Sequence, residues 1–432
     1  MPTEDAGLGL SDAELRRRAI DVLVRNHRDG YTVPAVGLYP FQWCWDSGPI
    51  ALGWAAAGRW DDAWTELTRL MSAQWPSGMV PHIVFWHEDK SYFPGPEVWA
   101  TGRTPPSSGI TQPPLPVSAA ARLFAADPDR ERAVASLRSL WPGLMAWLSW
   151  IERARKGPHG AAVIVHPWES GMDNSPSWDQ PLSVVPEVSN EHIERRDVAT
   201  VSADQRPSQR EYRQYLGIVD ALRAAGWDTE RQPADTPFSV EDPGFTAIAA
   251  RAATDLASVA AGAGLDGREP ARLAESMRAG LEALWDDDLG WYRPYDTLGK
   301  CPVGPATSTG LAAIWADIPE ERARRMLERV DLWRQSVSGS IPTAQPDDPS
   351  FDPIRYWRGP VWVLVNWLVA DGLLRAGFTE RAAWVRSDTR ALVERSFSEY
   401  YDPRNSAGIG GQSFSWSAAL TLDWLTGSDP GT

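Results

Sequence analysis

Along the chain, apolar residues recur at helical spacing with short interruptions. Residues 12–28 place Leu15, Ala19, Val22 and Leu23 on one stripe, which predicts an amphipathic helix ended by Gly30. Ser47 reads as an N-cap with Pro49 in the first turn, opening an apolar helix to residue 57. The short Gly58-Arg59-Trp60 link then leads to a second helix over 61–74. The same rhythm predicts helices over 117–126, 130–154, 207–225, 243–263, 269–285, 307–316, 319–334, 359–375, 380–397 and 415–425. About a dozen helices with no strand–helix alternation point to an all-α layered architecture. The run 359–368 is apolar on nearly every face but carries Asn366, so it reads as a buried inner-layer helix and not as a membrane span.

Three stretches break this rhythm. Residues 75–116 hold nine prolines and no clear period, yet are rich in aromatic residues, which marks a long, ordered functional loop. Residues 166–179, His-Pro-Trp-Glu-Ser-Gly-Met-Asp-Asn-Ser-Pro-Ser-Trp-Asp, combine acids and tryptophans with helix-breaking residues, so Glu169 and Asp173 belong to an irregular loop. Residues 183–202, with Glu187, Glu191, Glu194, Arg195 and Arg196, are polar and read as a solvated loop in preference to a lid.

Composition narrows the chemistry. There are 24 Trp against 10 Tyr and 10 Phe, and where Trp gathers in loops its flat ring suits the face of a sugar. A net charge of −15 argues against nucleic acid or an anionic membrane as partner. The short acidic N-terminal stretch lacks an apolar signal region and no long apolar run follows, so a soluble, cytoplasmic protein is expected. Cys44 and Cys301 form no metal or redox motif. The six histidines, His27, His82, His87, His159, His166 and His192, are not spaced as ligand pairs, so neither a metal nor a cofactor is expected. Nucleotide-loop, Gly-x-Ser-x-Gly and His-Glu-x-x-His patterns are absent.

What remains is carboxylates in aromatic, Pro/Gly-rich loops: Asp46 between Trp45 and Ser47, the Glu169 and Asp173 pair, and Glu399 in Ser398-Glu399-Tyr400-Tyr401-Asp402-Pro403. Such acids suit glycoside hydrolysis, in which one protonated carboxyl serves the leaving oxygen and one carboxylate works from the opposite face. Turn and capping roles for the same acids stay open on these features alone, as do a sugar epimerase, which would want paired histidines, and a carbohydrate-binding module without catalytic acids.

Six motifs in order resemble glycoside hydrolase family 63. They are Trp43-Cys44-Trp45-Asp46-Ser47, Gly109-Ile110-Thr111-Gln112-Pro113-Pro114, residues 168–176, Gln205-Arg206-Pro207, Tyr356-Trp357-Arg358-Gly359-Pro360, and residues 399–403 followed by Phe414-Ser415-Trp416. Length and the Ser91-Tyr92-Phe93-Pro94-Gly95-Pro96 loop resemble its bacterial hydrolases of mannosylglycerate and glucosylglycerate. The resemblance implies one (α/α)6 toroidal catalytic domain over residues 1–432, with loop insertions at about 75–116 and 183–202. It further implies an inverting α-glycosidase acting on a small α-glucoside or α-mannoside of glycerate, with an α-glucosidase of another small glucoside or oligosaccharide as the alternative. Asp173 would be the general acid and Glu399 the general base. Tyr39, Trp43, Trp45, Asp46, Tyr92, Gln112, Trp168, Gly171, Arg206, Tyr212, Tyr356, Trp357 and Trp362 would surround sugar and aglycone. Cys44 departs from the expected larger or polar residue, and 183–202 matches no motif. Arg206 is expected to hold the glycerate carboxylate, with bracing of the loops through Glu169 or Asp204 as the competing role. Association into a homo-oligomer is compatible with these features.

Overall fold

The helices of the computed structural model, which describes residues 9–189, 195–338 and 340–426, divide into two kinds by how much of their surface is apolar. Cys44–Ala56, Leu115–Ala126, Pro243–Ala260, Val363–Arg375 and Ser415–Leu420 are buried on almost every face. So is the short Ser308–Leu311 turn that runs into Ala312–Ala316. Asp12–Asn26, Trp60–Met71, Arg130–Ala154, Arg268–Glu282, Glu320–Arg334 and Thr379–Arg395 bury one stripe each and expose the rest.

The fully buried elements touch in sequence and the contacts close on themselves. The 44–56 helix packs on 115–126, that on 243–260, then 312–316, 363–375, 415–420, and so back to 44–56. Such closure needs small residues at the crossings. A Cβ on Gly53 would stand 2.5 Å from Ala419, and one on Gly372 would stand 2.5 Å from the Ile314 carbonyl. Five of the amphipathic helices lie on the neighbouring buried ones, and the 320–334 helix docks through Trp333 on Trp291, 5.2 Å between rings. One connected apolar core runs from Leu15 to Leu425.

Charge closes the C-terminal ends of several buried helices. Arg122 pairs with Asp371 at 2.7 Å, Arg375 and Arg251 both reach Asp317, and the Trp315 indole donates to Asp371 at 2.6 Å. At the opposite ends, short antiparallel pairs fasten the loops. Gln42–Trp43 pairs with Ile83–Val84, and Ser398–Tyr401 pairs with Gly408–Gln412.

Two predicted helix starts shift by more than two residues. Helix Cys44–Ala56 begins before Ser47, whose hydroxyl donates to the Glu66 carboxylate at 2.7 Å and does not cap the helix. The helix predicted from 359 begins at Val363, because Val361 exchanges backbone hydrogen bonds with Tyr401 and is thereby kept extended. Asn366 inside it donates its amide NH2 to Ser340 and Thr389, while its buried oxygen has no partner among the described residues. The 75–116 stretch is ordered around Ile83–Val84 and Pro96–Trp99, and 183–202 contains a helix, Arg196–Thr200. Glu191 and Glu194 of that stretch, with His192, lie outside the described residues. Among the described residues, no helix is long and apolar enough to cross a membrane.

Gly53→Val places a branched side chain against the Ala419 backbone, and we expect it to destabilise the protein by roughly 1–3 kcal/mol through overpacking. A thermal melt indistinguishable from wild type would show that the 44–56 and 415–420 helices do not depend on this contact.

Candidate active site

Thirteen of the fifteen residues expected around substrate line one pocket of about 920 Å³, its open mouth included. Tyr39, Trp43, Trp45 and Asp46 come from the entrance of the 44–56 helix, and Gln112 from the entrance of 115–126. Trp168, Gly171 and Asp173 come from the 166–179 loop, Tyr92 from the long loop, and Arg206 and Tyr212 from the next helix start. Tyr356 and Glu399 complete the wall. The sequence pattern did not single out for this wall His82, Phe93, Pro94, Asp197, Pro207, Tyr215 and Trp416. His82 carried a signal, since it is a lone polar residue in the apolar run Val80-Pro81-His82-Ile83-Val84-Phe85.

Glu399 is fully buried and sits on an edge strand next to a glycine-rich one. Its Oε1 accepts from the Tyr39 hydroxyl at 2.8 Å and the Tyr356 hydroxyl at 3.2 Å, and its Oε2 accepts from Arg206 Nη2 at 3.1 Å and the Gly411 amide at 2.8 Å. Four donors fill the four lone-pair directions of a carboxylate, whereas a carboxylic acid would turn its own hydrogen against one of them. Gly410 lies in the left-handed region at φ 71°, and a Cβ there would stand 2.8 Å from Glu399 Oε2.

Arg206 completes this cluster. Its Nη1 donates to the Tyr39 oxygen at 2.9 Å and its guanidinium lies over the Tyr356 ring at 4.6 Å. Burial works against its charge, and Glu399 in front of it more than restores it. The bracing partner is therefore Glu399, and neither Glu169 nor Asp204. Both terminal nitrogens are engaged, with Tyr39 and Glu399, and the buried Nε has no partner among the described residues.

Asp173 has the opposite surroundings. Its carbonyl accepts from the Tyr215 hydroxyl at 2.9 Å, which fixes the backbone, yet among the described residues no other side chain hydrogen-bonds its carboxyl. Burial first, and then the Glu399 carboxylate, push Asp173 well above the ordinary carboxylate range, against the opposing pull of Arg206. Asp46 is raised for the same two reasons, and its buried Oδ1 has no hydrogen-bond partner among the described residues.

The loop carrying Asp173 is held from below. Glu169, fully buried, accepts from Arg155 Nη2 at 2.9 Å, from the Val165 amide at 2.7 Å and from the Thr111 amide at 3.1 Å, so it braces the loop away from the pocket. His166 donates through Nε2 to the Tyr215 carbonyl and accepts the Trp168 amide on Nδ1, which requires the neutral ring, and burial holds it down at about 3. Gly171, at φ 71°, lies so close to Trp45 that a Cβ would meet its ring at 2.6 Å.

Trp357 and Trp362 are not at the pocket wall. Their indoles stack on each other at 3.7 Å, and Trp362 stacks on Tyr400 at 4.7 Å, fully buried behind Tyr356 and Trp45. The expectation that they touch substrate is corrected to a supporting layer. Trp357 takes a left-handed backbone, φ 60°, which a bulky residue adopts only when its surroundings enforce it. Cys44 lies inward, fully buried, with burial raising its thiol.

Two carboxyl groups with opposed surroundings in an aromatic pocket are the equipment of a glycoside hydrolase. The chain belongs to the mannosylglycerate hydrolase MGH1-like glycoside hydrolase family, whose domain model matches residues 39–417. It is 45% identical to a mannosylglycerate hydrolase of Thermus thermophilus, covering 94% of this chain and 99% of that protein. It is 36% identical to a glucosylglycerate hydrolase of Mycolicibacterium hassiacum, over 95% and 98%. Its fold superposes with a TM-score of 0.91 on the crystal structure of a family 63 mannosylglycerate hydrolase from Thermus thermophilus in complex with Tris and D-glycerate, at 45% identity over 95% of this chain and 99% of that one.

Glu169→Gln leaves the Arg155 cation buried without its carboxylate. We expect a loss of roughly 3–5 kcal/mol at neutral pH, measured by urea unfolding, with residual activity falling in parallel with the folded fraction. Unchanged stability would remove Glu169 as the brace of the loop.

Proposed function

We propose that this protein is an inverting α-glycosidase that hydrolyses a small α-glucoside or α-mannoside of glycerate to hexose and glycerate. The observation that carries the reading is the contrast between its two acids. Asp173, desolvated and with no other side chain as donor, is suited to keep a proton at neutral pH and give it to the glycosidic oxygen as that bond breaks. Glu399, ringed by donors, is suited to take a proton from the water that attacks the anomeric carbon from the other face. Because its four lone-pair directions are filled by protein donors, one on Oε1, the Tyr39 or the Tyr356 hydroxyl, has to yield its place to that water. Asp46, whose buried oxygen has no partner among the described residues, lines the pocket with Trp43 and Trp45 and accepts hydrogen bonds from sugar hydroxyls, and the indoles receive the ring faces.

The closed cycle of buried helices, five of them with an amphipathic helix lying on them, supports reading the fold as an (α/α)6 toroid, and we read the whole chain, residues 1–432, as one catalytic domain. The names of the two relatives and the glycerate in the superposed structure support the substrate class. Two unpaired cysteines are in keeping with a cytoplasmic compartment.

Asp173→Asn and Glu399→Gln should each lower kcat by at least roughly a thousandfold while the helical circular dichroism stays intact. Either variant keeping near-normal turnover would remove that residue from the mechanism. Proton NMR of the first product from glucosylglycerate or mannosylglycerate should show the β-anomer of the hexose; the α-anomer appearing first would overturn the inverting assignment.

A further inference from the structure

An acidic aglycone is favoured over a neutral one most strongly by a cation in the pocket, beside neutral donors. Among the described residues lining it there are two guanidinium groups, Arg206 and Arg196. Arg206 engages Glu399 and Tyr39 through its two terminal nitrogens. Arg196 stands at the start of the short helix Arg196–Thr200 and reaches across to the long loop. Its Nη1 donates to Asp89 Oδ2 at 2.8 Å and to Ser91 Oγ at 3.0 Å. Its Nε and Nη2 make no hydrogen bond among the described residues, and its side chain keeps 22% of its surface exposed. The guanidinium thus presents one occupied nitrogen to the long loop and two further nitrogens without a hydrogen-bond partner among the described residues.

The neighbouring charges leave this cation available. Asp197, which also lines the pocket, has both oxygens taken by Arg195, at 3.1 and 2.7 Å, and Arg195 itself lies over the Tyr212 ring at 4.4 Å. Tyr92 lines the same pocket. Burial raises its phenol, and Tyr212, Asp197 and Asp173 add to that while Arg196 opposes it. A sugar bound among Asp46, Trp43 and Trp45, with its glycosidic oxygen at Asp173, leaves its aglycone to the rest of the lining, which includes Tyr92 and Arg196.

We propose that Arg196 is a specificity-determining residue that binds the carboxylate of the aglycone through Nε and Nη2 while Asp89 holds the opposite side. A planar guanidinium can serve two carboxylates at once, which an ammonium of the same charge does less well. This rests on the reading of the protein as a hydrolase of glycerate glycosides, and it replaces Arg206 by Arg196 as the group that favours an acid over a neutral aglycone.

The test compares wild type, Arg196→Gln, Arg196→Lys and Asp89→Asn on glucosylglycerate, mannosylglycerate and the neutral glucosylglycerol, with calorimetric titration of D-glycerate. Arg196→Gln should raise KM for both glycerate glycosides and weaken D-glycerate binding by roughly tenfold or more, as expected for loss of a charge-assisted hydrogen bond. The ratio of kcat/KM for acid over neutral substrate should fall by the same factor, with Arg196→Lys between. Asp89→Asn frees the guanidinium and should keep or raise that ratio. If Arg196→Gln and Asp89→Asn instead weaken acid and neutral substrates alike, Arg196 only clasps two loops and the proposal fails. If wild type hydrolyses the glycerate glycosides and Arg196→Gln does so with unchanged KM, the role of Arg196 alone falls. If wild type neither cleaves them nor binds D-glycerate, the proposed function falls and Arg196 with it.

Discussion

A buried carboxylate must have every lone pair met, and at Glu399 this requirement gathers the site. The donors come from four segments far apart in sequence: Tyr39 before the first buried helix, Arg206 after the 166–179 loop, Tyr356 before the 363–375 helix, and Gly411 on the paired strand. Gln205 reinforces the arrangement. Its carbonyl accepts from the Tyr356 amide and the Tyr400 hydroxyl, and its side chain accepts from the Gly410 amide. Leaving one of these donors out would strand a charge in a low-dielectric pocket, so the loops are held in register by the group that the proposed chemistry uses. Asp173 faces the same pocket but is omitted from the network, and the pocket's chemical polarity follows from that omission.

The tryptophans divide accordingly. Trp43, Trp45, Trp168 and Trp416 face the cavity, with Trp45 set edge-on to Trp416 and Trp168 stacked on His82. Trp357 and Trp362 lie a layer deeper, stacked with Tyr400, and give Tyr356 and Trp45 a rigid backing. Close approach between layers is possible because Gly171 stands where any side chain would enter the Trp45 ring. Precision in a site built on loops needs such backing, since a loop carries few backbone hydrogen bonds of its own.

The sequence shows the helices and their breaks well, because burial on one face writes a 3.6-residue period. Leu15, Ala19, Val22 and Leu23 are all buried as their spacing requires. The irregular loop of Asp173 was legible from Pro167, Gly171 and Pro176, and the wall residues followed from motifs that resemble a known family. What remained illegible depends on partners distant in sequence. Nothing local says that Arg206 turns to a residue 193 positions away, that Trp357 and Trp362 stack on each other behind the wall, or that Arg196 in an unpatterned polar stretch reaches Asp89. Ser47 shows the same limit on a smaller scale: its N-cap chemistry was plausible, but a buried Glu66 offered its hydroxyl a stronger acceptor.

The central claim is that one proton in this pocket resides on Asp173 while Glu399 is a carboxylate. Infrared difference spectra of wild type against Asp173→Asn and Glu399→Gln, recorded near pH 7 in light and heavy water, measure this directly. The account predicts a protonated-carboxyl stretch that disappears with Asp173→Asn and an ionised-carboxylate band that disappears with Glu399→Gln. A protonated band that instead disappears with Glu399→Gln, or no protonated carboxyl at Asp173 near pH 7, would contradict the assignment of acid and base.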